Sequence, residues 1–152
     1  MTQIINFAAT IDGKVIVNTT PHPLNFLNNE GETVVVPSSV APGEKTSPWV
    51  VNARAVEEQV GEDLVRTVFV GTPEGEKTLD AIEALAREAG YDNIRVVGSI
   101  IAAQAYPGRV LSMCPAPGYE RVAPAEKRMT AQKFTVFTAN NAHGLNVWNS
   151  FR

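Results

Sequence analysis

Two short strings in the second half of the chain each set a tyrosine within three residues of an arginine beside a Pro-Gly turn. They are residues 106–110 (YPGRV), with Tyr106 and Arg109, and residues 117–121 (PGYER), with Tyr119 and Arg121. A ring or guanidinium plane can stack a base while the cation meets a phosphate, so each pair suits a nucleotide. A tyrosine at a turn also often does no more than cover the edge of a core. Residues 125–129 (AEKRM) add Lys127 and Arg128, on a segment that either folds over a bound anion as a lid or stays a solvated face.

Three further places carry ligand-type groups. In residues 19–25 (TTPHPLN), prolines on both sides of His22 hold the backbone extended and display the imidazole. Asn18, Thr20 and Asn25 offer hydrogen bonds to a base edge or ribose; the competing reading is an edge strand with His22 satisfied by a backbone carbonyl. Residues 97–108 (VGSIIAAQAYPG) read as strand, glycine turn and helix start. Ser99 is then an N-cap whose neighbouring free N–H groups suit a phosphate, and Gln104 is a further polar contact. If residues 100–105 continue as strand, that phosphate argument weakens. Arg54, closing a short strand expected over residues 49–54, is the last anion contact expected.

Charge supports an anionic ligand. Residues 1–92 carry 14 acidic and 6 basic side chains, whereas residues 93–152 carry 2 and 7, so a chain of net charge −3 holds a locally positive second part. The overall pI near 5.4 argues against a general coat for long nucleic acids. No catalytic set stands out: Glu57, Glu58, Glu62 and Asp63 read as a solvated acidic loop or short helix, and His22 has no nucleophile beside it. One cysteine and two histidines give no zinc spacing, so neither metal nor cofactor is expected, and Cys114 reads as a small core residue. No run approaches a membrane span and the first residues lack a secretion signal, which points to the cytoplasm.

The elements that must position these groups suggest a compact α+β domain over residues 1–138, with a mixed, mostly antiparallel sheet and one or two helices. Asp12-Gly13 between β-prone runs predicts a hairpin within residues 1–17. Strands at 24–27 and 33–36 around a turn at 28–31 predict a second hairpin, and residues 37–48 a Pro/Gly/Ser-rich loop. Residues 64–70, 78–90 and 94–97 read as strand, helix and strand of a βαβ-like unit with parallel, adjacent strands, preceded by a turn at 72–77. The last strand is expected at 133–138. Residues 139–152 are expected to form a tail that packs through Trp148 and Phe151 or is loosely ordered.

The strings TPHPLN (20–25), VPS (36–38), VVGSIIAAQAYPG (96–108) and PAPGYERVAPAEKRM (115–129) give a resemblance over residues 18–138. The chain resembles a widespread group of small phage and prophage proteins. These open with Asn-x-Thr-Pro-His, follow with Val-Pro-Ser or Pro-Pro-Ser, and carry a Gly-Ser/Gln/Tyr-Pro-Gly tract. Ser39 departs from the glycine that follows Pro-Ser in that group, and the hairpin at 1–17 is an addition. By analogy with phage proteins of similar size, the resemblance implies a sponge. Such a protein sequesters the cyclic oligonucleotide or cyclic ADP-ribose signals of bacterial antiphage defences such as CBASS and Thoeris without cleaving them, in the cytoplasm of the infected host. Homo-oligomers that close the ligand between copies fit that role. The alternatives are a virion or assembly protein, and a nucleotide hydrolase or phosphodiesterase using His22.

Overall fold

Asp12 and Gly13 both adopt positive φ (50° and 82°), the two-residue turn whose twist matches that of paired strands. They join β1 (Ala8–Ile11) to β2 (Lys14–Asn18) with Ile11 opposite Lys14. The second hairpin, β3 (Leu24–Leu27) and β4 (Thr33–Val36), is turned by Asn28, whose Oδ1 accepts from the amides of Glu30 and Glu32 at 2.9 Å each. The computed structural model describes residues 5–138; the expected tail at 139–152, with Trp148 and Phe151, lies outside them.

The remaining elements are β5 (Arg54–Gln59), β6 (Val65–Val70), α1 (Pro73–Ala89), β7 (Ile94–Gly98), α2 (Ile100–Ala105), β8 (Leu111–Pro115), a 3₁₀ turn at Pro124–Glu126 and β9 (Met129–Thr135). Seven strands form one sheet in the order β1-β2-β7-β8-β9-β3-β4. Pairs β1/β2, β8/β9 and β3/β4 are antiparallel, while β2/β7, β7/β8 and β3/β9 are parallel. The fold is α+β.

Side-chain alternation divides the core between the two faces of this sheet. Ile16 and Val97 point to one face with Ile11, Phe26, Val36 and Ala131. Their neighbours Val17 and Val96 point to the other, where Leu79, Ile82 and Ala86 of α1 cover them. The sheet curls, so that its end strands β1 and β4 come back towards each other and enclose the first cluster.

Five expectations are corrected. Residues 49–53 are irregular and the strand begins at Arg54. The acidic Glu57 and Glu58 lie in β5, and Glu62 and Asp63 in the turn to β6. β6 does not lie parallel to β7; it pairs antiparallel with β5 in a separate two-stranded sheet. The parallel neighbours joined through a helix are instead β7 and β8, through α2, which decides residues 100–105 as helix. The helix expected from residue 78 starts at Pro73, because Thr72 caps it by accepting from the Gly75 amide at 3.0 Å and proline fits the first turn. It stops at Gly90 (φ 78°) as expected. The last strand lies at Met129–Thr135, earlier than expected.

Candidate functional site

Asn18, at the end of β2 and fully buried, organises the Thr-Pro-His string from below. Its Nδ2 donates to the carbonyls of His22 (2.8 Å), Pro37 (3.2 Å) and Val36 (3.3 Å). Its Oδ1 accepts from the Thr20 amide (2.8 Å) and hydroxyl (2.7 Å). Thr20 Oγ1 therefore closes a local turn, within 2.9 Å of the His22 carbonyl, and Ser38 Oγ donates to the Thr20 carbonyl at 3.1 Å. Asn18 and Thr20 thus hold the loop in place and are not free ligand groups. His22 is exposed above them, and its ring has no hydrogen-bond partner among the described residues.

From His22 the chain enters β3, which pairs with β9 in the register Phe26 opposite Met129. That pairing brings two strings singled out in the sequence to the same place. Pro23, Leu24 and Asn25 on one side and Pro124, Lys127 and Met129 on the other line a groove of about 240 Å³ with a mainly apolar floor. Lys127 Nζ donates to the Glu120 carbonyl at 3.1 Å, which ties the loop carrying Tyr119 and Arg121 to the rim. Tyr119 is half-buried, and Arg121 is exposed with no partner among the described residues. Arg128 turns away from the groove: its Nε donates to Thr33 Oγ1 (3.1 Å) and its Nη1 to the Lys127 carbonyl (3.0 Å).

The other expected contacts lie elsewhere. Tyr106 is 2% exposed, so it offers no stacking face; its hydroxyl donates to the Asn52 carbonyl (2.8 Å) and accepts from the Thr72 amide (2.9 Å). Arg109 meets Glu76 (2.6 Å), Asp80 (2.8 Å) and Glu83 (3.1 Å) of α1 and is neutralised there, away from any phosphate. Partial burial works against its charge, but hydrogen bonds to Asp80 and Glu83 and the charges of Glu83 and Glu76 outweigh it. The guanidinium pKa is held above its ordinary value. Ser99 caps α2 by accepting from the Ala102 amide at 3.0 Å, and six helical residues give little dipole for a phosphate. Gly98 serves packing: a Cβ there would lie 2.8 Å from Val110 Cγ1 and 3.0 Å from Thr19 Oγ1. Gln104 is half-buried on α2, and Arg54 is exposed at the start of β5. Cys114 is half-buried, 3.5 Å from Thr135 Oγ1, and does not belong to the core.

Replacing Arg109 by Ala leaves three carboxylates on adjacent turns of α1. The expected cost is about 1 kcal/mol at low ionic strength, for a cluster this exposed. The deficit in melting temperature shrinks in high salt, which weakens attraction in the parent and repulsion in the variant alike. A deficit that grows with salt rules out this account of the cluster.

The apolar lining, Pro23, Leu24, Pro124 and Met129, is not marked in the sequence, because its residue types are those of any core or turn. The one signal there is the proline flanking each polar string. Among the described residues no three His, Cys, Asp or Glu side chains are grouped to hold a metal ion, and no helix is long and apolar enough to cross a membrane. Comparison of the chain with protein-family models, with characterised proteins and with solved structures returned no match.

Proposed function

We propose that the protein binds a small anionic nucleotide in the groove between β3 and β9 and holds it intact, as a phage or prophage sponge does. The observation that carries this reading is the convergence of the Pro-His-Pro-Leu-Asn and Ala-Glu-Lys-Arg-Met strings on one groove with an apolar floor and a cationic rim. Its volume of about 240 Å³ suits a base and not a whole dinucleotide, since pockets for drug-sized ligands run to roughly 300–1,000 Å³. The base lies on Pro23, Leu24 and Met129, Asn25 reads its edge, and phosphates extend to Lys127 and Arg121. A displayed His22 adds a hydrogen bond. Among the described residues its ring has none of the orienting partners a general base needs, which favours sequestration over turnover. The signal in this reading is of the cyclic oligonucleotide or cyclic ADP-ribose type, and its capture in the bacterial cytoplasm blunts antiphage defence.

The test is incubation with a panel of cyclic dinucleotides, cyclic trinucleotides and cyclic ADP-ribose isomers, followed by heat denaturation and chromatography. Intact ligand is expected only after denaturation. Lys127→Ala and Arg121→Ala should each weaken binding roughly tenfold, the usual worth of a charge-assisted contact. Ligand that stays free throughout, or returns chemically converted, defeats the reading.

A further inference from the structure

The β5–β6 hairpin stands apart from the main sheet. β6 rests on α2, whereas β5 is exposed along nearly all its length and its outer edge pairs with no other strand among the described residues. A solitary two-stranded hairpin is marginally stable in water, and an open edge is ordinarily covered. The tip is nevertheless ordered. The amides of Val60 and Gly61 both donate to the Leu64 carbonyl (3.0 and 3.2 Å), and the Gln59 side chain bonds the Gly61 carbonyl. This turn presents Leu64, 61% exposed, with Val60 and Val65 beside it at 54% and 50%. Glu62 and Asp63 flank that apolar knob, and neither carboxylate has a partner among the described residues.

A matching receptor lies at the root of the same hairpin. Arg54 and Val70 close its base, and the chain passes from Val70 through Thr72 straight into α1. On the second and third turns of that helix, Lys77, Thr78 and Ala81 form a shallow groove of about 190 Å³ with Pro48 and Trp49. Trp49 is braced by Phe7, ring centroids 5.3 Å apart, and Thr78 Oγ1 donates to the Pro48 carbonyl at 3.2 Å. The floor is therefore rigid and apolar. Lys77 at its rim and Arg54 at the base of the hairpin carry charges without partners among the described residues.

We infer that this hairpin is a dimerisation arm whose occupant is a second copy of the same chain. Leu64 of each copy enters the Trp49–Ala81 groove of the other, and Glu62 and Asp63 meet Lys77 and Arg54. The knob lies at the tip of the arm and the groove beyond its root, the two ends being about 20 Å apart for a six-residue strand. Two arms lying antiparallel thus fill both grooves at once, which closes the assembly as a two-fold dimer. The exposed edge of β5 is covered in the process. A partner without the same knob and groove would satisfy one end only. This inference uses none of the residues of the β3–β9 groove and stands or falls separately from nucleotide binding.

Sedimentation velocity on the full chain at micromolar concentration and low salt should give twice the monomer mass. Leu64→Ser should weaken the dimer roughly tenfold or more, as expected for a central apolar anchor. Lys77→Glu should do the same, and Asp63→Lys added to Lys77→Glu should restore the dimer. All three positions are exposed, so unchanged circular dichroism establishes that the variants fold. A monomer at high micromolar concentration overturns the inference, as does a dimer indifferent to Leu64→Ser or a charge swap that fails to restore it.

Discussion

Tyr106→Ala is expected to lower stability by about 3–5 kcal/mol, the range for truncating a large buried aromatic side chain. For a chain of this size, roughly 2–4 °C is lost per kcal/mol, so the melting temperature should fall by on the order of 10 °C. The ring fills the junction between α1, α2 and the irregular residues before β5, and its hydroxyl answers one amide and one carbonyl at once. Tyr106→Phe separates the two contributions. It keeps the ring but leaves the Thr72 amide and Asn52 carbonyl unpaired, at about 1–3 kcal/mol for a buried group so orphaned.

Glycines make room for that ring. A Cβ at Gly75 would stand 1.9 Å from the Tyr106 hydroxyl oxygen, and one at Gly71 would stand 2.6 Å from ring carbon Cε1. Gly75→Ala therefore forces the ring out of its bonds, and the cost should exceed the gain in helix propensity. In a double-mutant cycle with Tyr106→Phe, the alanine should cost less than it does alone, because the nearest clashing atom is gone. Strictly additive melts, or a stable Tyr106→Ala variant, would contradict this packing. The same measurement tests whether the hairpin root is rigid, since Asn52 lies two residues before β5.

What was legible in the sequence was local. Asp12-Gly13 and the Asn28–Gly31 turn each specify a hairpin within a few residues, and Gly90 ends a helix by its own backbone preference. The start of α1 was hidden because Pro73-Glu74-Gly75 has the composition of a turn. Its glycine is explained only by Tyr106, far along the chain. The parallel pairings of β3 with β9 and β2 with β7 join segments with no local signal linking them. β5 is not legible in the sequence because a strand exposed on both faces lacks the apolar alternation that marks a half-buried one.

The candidate site was legible in the same uneven way. Tyrosine, arginine and asparagine serve ligands and interiors by the same chemistry, so the residue types could not reveal which. Tyr106 and Arg109 found their partners inside the fold, two backbone groups for one and three carboxylates for the other. Asn25 and Lys127 remain at a groove that exists only because β3 and β9 are neighbours. Asn18 looks in the sequence like one polar group among several, whereas in the fold it holds the Thr20–His22 turn against the end of β4.

Asn18→Ala should cost about 3 kcal/mol or more, since three carbonyls lose a shared donor and the Thr20 amide its acceptor around a fully buried position. The damage should concentrate at the Thr20–His22 turn and the end of β4, and amide exchange there should rise before global unfolding. Nucleotide binding in the β3–β9 groove should weaken with it, because Pro23 and Asn25 leave that turn directly. Asn18→Asp is the sharper probe. Its outer oxygen would face the same three carbonyls, and an ionised carboxyl there has no hydrogen to give, so burial and the carbonyl dipoles raise its folded-state pKa. The folded state then binds the proton more tightly than the unfolded state, and stability falls as pH rises through the carboxylate range and above. At acid pH the protonated carboxyl donates one hydrogen bond and recovers part of the loss. Melts of Asn18→Asp minus parent should therefore show a deficit smallest at low pH and largest near neutrality. A deficit independent of pH would mean that the side chain escapes to solvent and that the clamp does not hold the loop as its geometry implies.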